Sequence, residues 1–205
     1  MKRADHSLDK NSKIIAGVIA DTHVPDRIDA LHPDLEAVLR SAQVDVILHA
    51  GDISSPAVLR QLERVAPVIA VRGNRDWAFR KTLPWSQTIV LGGVRILLTH
   101  GQGDLGNYLV DKLWYLLDGY RPERYLHLIE RDLEDERVAI FGHTHRALIL
   151  ERNGRLFFNP GSASFAVGRN GQPSIGLLTI EHGRVLGKIV ALPKHKIEGR
   201  KWRIF

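Results

Sequence analysis

Apolar residues recur along this chain in two rhythms, one of short continuous runs and one of helical spacing. Ile14 to Ala20 is an unbroken apolar run rich in β-branched residues, and Asp29 to Ala42 follows with Leu31, Leu35, Val38 and Leu39 at helical intervals. Val44 to Ala50 predicts a second buried strand, Pro56 to Arg64 a short helix capped by Ser54 or Ser55, and Val65 to Val71 a third strand. Strands alternating with helices in this way imply a parallel sheet. After a loop around Trp77 to Ser86, the runs Thr88 to Leu91 and Val94 to Thr99 flank Gly92-Gly93, a tight hairpin. Leu105 to Leu117 and Pro122 to Glu136 have the pattern of two helices, the second opening on proline. From Arg137 the rhythm changes to short strands: Val138 to Phe141, Ala147 to Glu151, Arg155 to Phe158, Ile175 to Ile180 and Arg184 to Val190, with turns at Asn153-Gly154 and His182-Gly183.

A parallel first half and an antiparallel second half predict an α/β fold of two packed mixed β-sheets flanked by helices. At 205 residues one well-buried domain is expected. We divide the chain into a polar N-terminal tail (1–13), a folded body (14–192) and a basic C-terminal tail (193–205). The apolar runs are of strand length, far short of the roughly 20 residues of a membrane-spanning helix, so no membrane association is expected. Residues 1–13 lack the apolar core of a secretory signal, which points to the cytoplasm.

Composition narrows the chemistry. With no cysteine, disulfides, thiolate nucleophiles and Cys-ligated metals are excluded, and any metal must be held by His, Asp, Asn and Glu. The formal charge of +6 invites a nucleic-acid reading, but +2 of it lies in residues 1–13 and +4 in residues 193–205, leaving the body neutral. Charged tails of this kind are weak support for a nucleic-acid partner. Homo-oligomerisation is left open by the sequence.

Polar clusters follow five of the strand-like runs: Asp21-Thr22-His23, Gly51-Asp52, Gly73-Asn74-Arg75-Asp76, His100, and Gly142-His143-Thr144-His145. In open α/β sheets ligands bind at the carboxyl edge of the strands, so clusters distant in the chain could converge there. Carboxylate, amide oxygen and neutral imidazole suit Mn, Fe, Zn, Co or Ni. Glycine before Asp52, Asn74 and His143 lets each strand turn sharply as it exits. Singly, each cluster has a structural alternative: Asp21 as a turn cap, Gly-Asp and Gly-Asn as ordinary turns, His100 as a hydrogen-bonded strand end. The ordered set is what favours a metal.

That order resembles the calcineurin-like metallophosphoesterases, and the small size with Asn159-Pro160-Gly161-Ser162 is similar to their compact bacterial and archaeal phosphodiesterase branch. The resemblance covers Ile14 to Val190. It implies Asp21, His23, Asp52 and His145 on one metal and Asp52, Asn74, His100 and His143 on a second, bridged by Asp52. It implies two divalent ions, manganese foremost, with Ni, Fe, Zn, Co or Mg as alternatives, and a bridging hydroxide that hydrolyses a small phosphodiester. Asn74, Arg75 and Asp76 are the catalytic candidates on this reading, with Arg75 binding substrate and Gln102 a donor behind the metal ligands. Arg75 stands where family members usually carry a histidine. A guanidinium, with a pKa above about 12, donates no proton at neutral pH, so hydrolysis is expected to favour good leaving groups. The alternative for Arg75 is a surface ion pair with Asp76. Two other functions stay open: a noncatalytic protein-binding scaffold on the same fold, and a nuclease or nucleic-acid-binding protein using the basic termini.

Overall fold

The computed structural model describes residues 13–101, 121–165, 171–192 and 194–204. The expected helix Leu105 to Leu117 and Gln102 lie outside the described residues.

The expected two-sheet α/β architecture is present. The first sheet has the order β10-β9-β1-β2-β3, with β1 (Ile14–Ile19), β2 (Val46–Ala50) and β3 (Val68–Val71) parallel, and with β9 (Ser174–Glu181) and β10 (Arg184–Ala191) added antiparallel. The second has the order β4-β5-β6-β8-β7, in which β5 (Val94–Thr99), β6 (Val138–Ile140) and β8 (Arg155–Pro160) run parallel, with β4 (Ser86–Leu91) and β7 (Ala147–Arg152) antiparallel at the edges. Side chains alternate across each strand. Ala16, Val18, Leu48, Ile96, Leu98, Ile140 and Phe158 therefore fill the layer between the sheets. Ile19 and Ile47 face outward under α1 (Leu35–Ser41) and α2 (Pro56–Leu62), while Leu97, Ala139 and Phe157 meet α3 (Pro122–Asp132) on the far side.

Several elements are shorter than the apolar pattern predicts. The helix expected from Asp29 starts at Leu35, because Pro33 disfavours a helical conformation at His32 and because the backbone of Asp29 and Ala30 bonds elsewhere. The third strand starts at Val68 rather than Val65: Pro67 has no N–H to give a ladder, and the N–H groups of Val65 and Ala66 turn back to Leu62. Ser55 caps α2 through its hydroxyl, which accepts from the Ala57 N–H at 3.2 Å.

Residues 195–204, assigned from charge to the basic C-terminal tail, form the antiparallel pair β11 (His195–Glu198) and β12 (Lys201–Ile204), closed at Gly199 with φ +62°. This hairpin rests on the 25–34 loop. Arg200 Nε donates to Asp29 Oδ1 at 2.9 Å, the Asp29 N–H donates to the Arg200 carbonyl at 2.9 Å, and Trp202 Nε1 donates to the Ala30 carbonyl at 2.9 Å. Among the described residues no helix is long and apolar enough to cross a membrane.

Candidate metal centre

Each cluster leaves its strand at the same edge because β1, β2 and β3 are mutually parallel, as are β5, β6 and β8. The exits are abrupt. Asp21, His23, Asp52, His143 and His145 all have positive φ, between 53° and 68°, a region uncommon for residues with a side chain. Such strain persists only where surrounding bonds over-determine it and is concentrated at functional sites. Here the bonds are visible: the Asp21 N–H donates to the Gly51 carbonyl and the His23 N–H to the Asp52 carbonyl, both at 3.0 Å, so the first two exits lock together. Glycine is required between them, since a Cβ at Gly73 would collide with the Asp52 carboxylate, and one at Gly142 would stand 2.9 Å from Asp21 Oδ2.

The side chains converge. His23 Nε2 and His145 Nε2 are 3.2 Å apart, and His145 Nε2 is 3.4 Å from Asp21 Oδ1. His100 Nε2 is 3.5 Å from Asp52 Oδ1 and 4.0 Å from Asp21 Oδ1. His23 Nε2 is 3.8 Å from Asp52 Oδ2, which joins the two groups. Asp21, His23 and His145 form one set of donor atoms with metal-binding spacing, and Asp21, Asp52 and His100 another. His143 sits beside His100 with ring centroids 5.2 Å apart.

Bare donors test whether these residues suit a cation. Asp21 Oδ1, Asn74 Oδ1 and His100 Nε2 are buried without a hydrogen-bond partner among the described residues. An unpaired buried polar atom costs about 1–3 kcal/mol, and oxygens and nitrogens converging in this state are what a divalent ion takes up. The far ring nitrogens are engaged instead: His100 Nδ1 donates to the Ala50 carbonyl at 2.7 Å and His145 Nδ1 to the Phe165 carbonyl at 2.6 Å. These bonds place the lone pair on each Nε2, the arrangement typical of metal-ligating histidine. The donor set fits a divalent metal.

Charge in the cluster is shared unevenly. Burial raises the Asp21 carboxyl, but His145, His100 and His23 outweigh it and hold Asp21 well below the usual range. Burial, with Asp21 adding to it and His100 opposing, pushes Asp52 up. Burial lowers His23 and His143 to about 3, whereas the carboxylates overcome burial and raise His100 and His145.

The remaining candidates take other positions. Asp76 is 2 % exposed and its carboxylate accepts from the backbone N–H groups of Ile53, Ser54 and Gly73 at 2.7–2.8 Å, so it clamps the β2 exit to the β3 exit. Arg75 sends its backbone N–H to Asp52 Oδ1 at 3.0 Å, while its guanidinium pairs with Asp26 at 2.6 Å. Its partner is thus Asp26 and not Asp76. Asp26, Arg75, Pro25, Ser54 and Trp77 line a cleft of about 280 Å³ beside the centre.

Asn159-Pro160-Gly161-Ser162 forms a buttress behind the site. Asn159 Nδ2 donates to the Gly142 carbonyl at 2.8 Å, and the hydroxyls of Ser162 and Ser164 both donate to the Asp21 carbonyl, at 2.9 and 2.7 Å. The parallel alignment of β8 with β6 brings the motif there. Ser164 and Asp26 carried no sequence signal of a role, since an isolated serine or aspartate in a polar loop has none.

A model of the "Calcineurin-like phosphoesterase superfamily domain" matches residues 14–183. The chain is 34% identical over 177 residues to a "Probable metallophosphoesterase" of Methanothermobacter thermautotrophicus, covering 86% of this chain and 92% of the relative. Among solved structures, Vps29 of Chaetomium thermophilum superimposes with a TM-score of 0.68 at 22% identity, covering 94% of this chain and 91% of that one. Wild-type Vps29 of Entamoeba histolytica complexed with zinc does so with a TM-score of 0.59 at 25% identity, over 87% of this chain and 99% of that one.

These likenesses correct the sequence reading. The matched structures are repeatedly Vps29, a vacuolar protein sorting protein, which overturns the expected placement in a compact bacterial and archaeal phosphodiesterase branch. With it falls the expectation of an active hydrolase cleaving small phosphodiesters by a metal-bridging hydroxide. The position of Arg75 agrees physically: a guanidinium held by Asp26 supplies no proton to a leaving group. A divalent metal site remains supported by the His and Asp clusters and by the zinc-bound relative. By the extent of the family match, the chain belongs to the calcineurin-like phosphoesterase superfamily.

Proposed function

We propose that the protein is a noncatalytic, metal-binding scaffold for protein partners, built on the metallophosphoesterase fold. The observation that carries this reading is the 2.6 Å ion pair between Arg75 and Asp26. At the position where a phosphoesterase would present an imidazole, this chain presents a cation that transfers no proton and is already neutralised. In support, the relatives of like fold include Vps29 proteins, one of them holding zinc.

On this reading Asp21, His23, Asp52 and His145 hold one divalent ion and Asp52, Asn74, His100 and His143 a second, and the ions serve to knit the strand exits together. Bound metal supplies positive charge against Asp21 and Asp52 and fills donor atoms otherwise left bare. Asp76 positions the β2 and β3 exits, and Arg75 contributes its backbone N–H to Asp52.

The test combines binding with turnover. Zinc or manganese added to metal-stripped protein is expected to bind and to raise the melting temperature, while a chromogenic phosphodiester is hydrolysed no faster than by free metal. Asp52→Asn should weaken metal binding at least tenfold. Metal-dependent turnover above the blank that disappears in Asp52→Asn would overturn the scaffold reading.

A further inference from the structure

His32, Asp34 and His195 form a second cluster, made of residues outside the centre described above. One ring nitrogen of each histidine and one carboxylate oxygen of Asp34 come within 4.8 Å of one another. His195 Nδ1 lies 3.2 Å from Asp34 Oδ2, and the His195 ring meets the His32 ring edge-on with centroids 5.2 Å apart. His32 is 2 % exposed, packed on its other side by Trp202 at 4.5 Å. Its Nδ1 accepts a 3.2 Å bond from the Asp34 N–H, the Leu192 backbone interacts with the ring, and Nε2 has no bond of regular geometry among the described residues. A buried imidazole, a second imidazole and a carboxylate thus lie within reach of one another at the foot of the hairpin.

We propose that His32, Asp34 and His195 bind a transition-metal ion, zinc in the first instance, which staples the β11–β12 hairpin to the loop entering α1. Two imidazole nitrogens and one carboxylate oxygen are a donor set suited to zinc, cobalt or nickel, and three protein ligands leave a fourth position for water. His195 and Asp34 are only partly buried, with side chains 12% and 30% exposed, which gives the ion a path in. His195 is far in sequence from His32 and Asp34, which it faces across the docked hairpin. The hairpin's other polar links to the loop are surface contacts of Arg200 and the Trp202 indole N–H. Surface ion pairs contribute little, so a coordinate bond would add markedly to the docking that Trp202 provides.

The full-length protein tests this by metal counting. Equilibrium dialysis with zinc, and visible absorption with cobalt(II), are expected to give one equivalent fewer per chain in His195→Gln and in Asp34→Asn than in the wild type. Asp52→Asn should retain the equivalent that these two variants lose. Zinc should also slow proteolytic cleavage within residues 193–205 of the wild type, and fail to do so in His195→Gln. Equal equivalents in wild type and His195→Gln, or equal zinc protection of the hairpin in both, would overturn the proposal. Glutamine retains a hydrogen-bonding group of similar reach, so loss of the equivalent reads ligation and not unfolding.

Discussion

Asp52 shows how much a single residue carries in this site. Its backbone bends into a positive φ of 55°, its carbonyl accepts from His23, and its carboxylate takes the Arg75 N–H while facing His23 and His100. All of this depends on the absence of a side chain at residue 73. Gly73→Ala would place a methyl group into the Asp52 carboxylate and 2.6 Å from its backbone N, with no flexible group able to yield. We expect a destabilisation of about 1–3 kcal/mol, the usual range for forced overpacking, and a loss of metal affinity larger than that of an alanine at the solvent-open Gly154. Chemical denaturation and metal titration of the two variants measure both. The residue types of this site were legible in the sequence because Asp, Asn and His after strand-like runs are few and ordered. The role of Arg75 was not: its ion pair depends on Asp26, 49 positions away, which only the fold brings to it.

At the scale of elements, the strands do the positioning and the loops carry the candidate donor atoms. A strand's side-chain period of two puts Val18 and Leu48 in the core between the sheets, and residues just beyond the strand ends are the candidate ligands. The C-terminal hairpin is the element that charge concealed. Its strands carry Lys196, Lys201 and Arg203 on exposed positions, while Ile197 and Trp202 pair across the turn. Alternation of Ile197, Trp202 and Ile204 around Gly199 was a readable strand signal, outweighed by the basic composition. Trp202→Ala removes the hydrogen bond to Ala30 and the packing on His32. It should release the hairpin, raising its cleavage rate in limited proteolysis several-fold while the far-ultraviolet signature of the two large sheets stays intact.

The described residues form a stack in which two sheets enclose one apolar layer and the candidate metal centre caps its edge. This burial fixes the acid response. His49, in β2 behind the centre, is fully buried, and burial lowers it from 6.5 to about 3. A folded-state value below the unfolded one means that the unfolded chain takes up the proton first. The contribution of neutral His49 to stability is therefore complete above about pH 6.5 and is lost as pH falls toward 3. His49→Gln should flatten the dependence of stability on pH across that window, by at most about 1.4 kcal/mol per pH unit. Urea denaturation of the metal-free wild type and variant at pH 7.5, 6 and 5 tests the difference; parallel curves would contradict it.

By itself the sequence determined the two-sheet α/β plan, the order of the polar clusters and the superfamily but not the branch within it, because these rest on local periodicity and on residue types at strand ends. Tertiary structure decided the rest. The pairing of Arg75 with Asp26, the hold of Asp76 on Ser54, the hold of Ser164 on the Asp21 carbonyl and the meeting of His195 with Asp34 join residues between 22 and 161 positions apart. No periodicity encodes such distances. They are set by which strands lie side by side and by where a docked hairpin comes to rest.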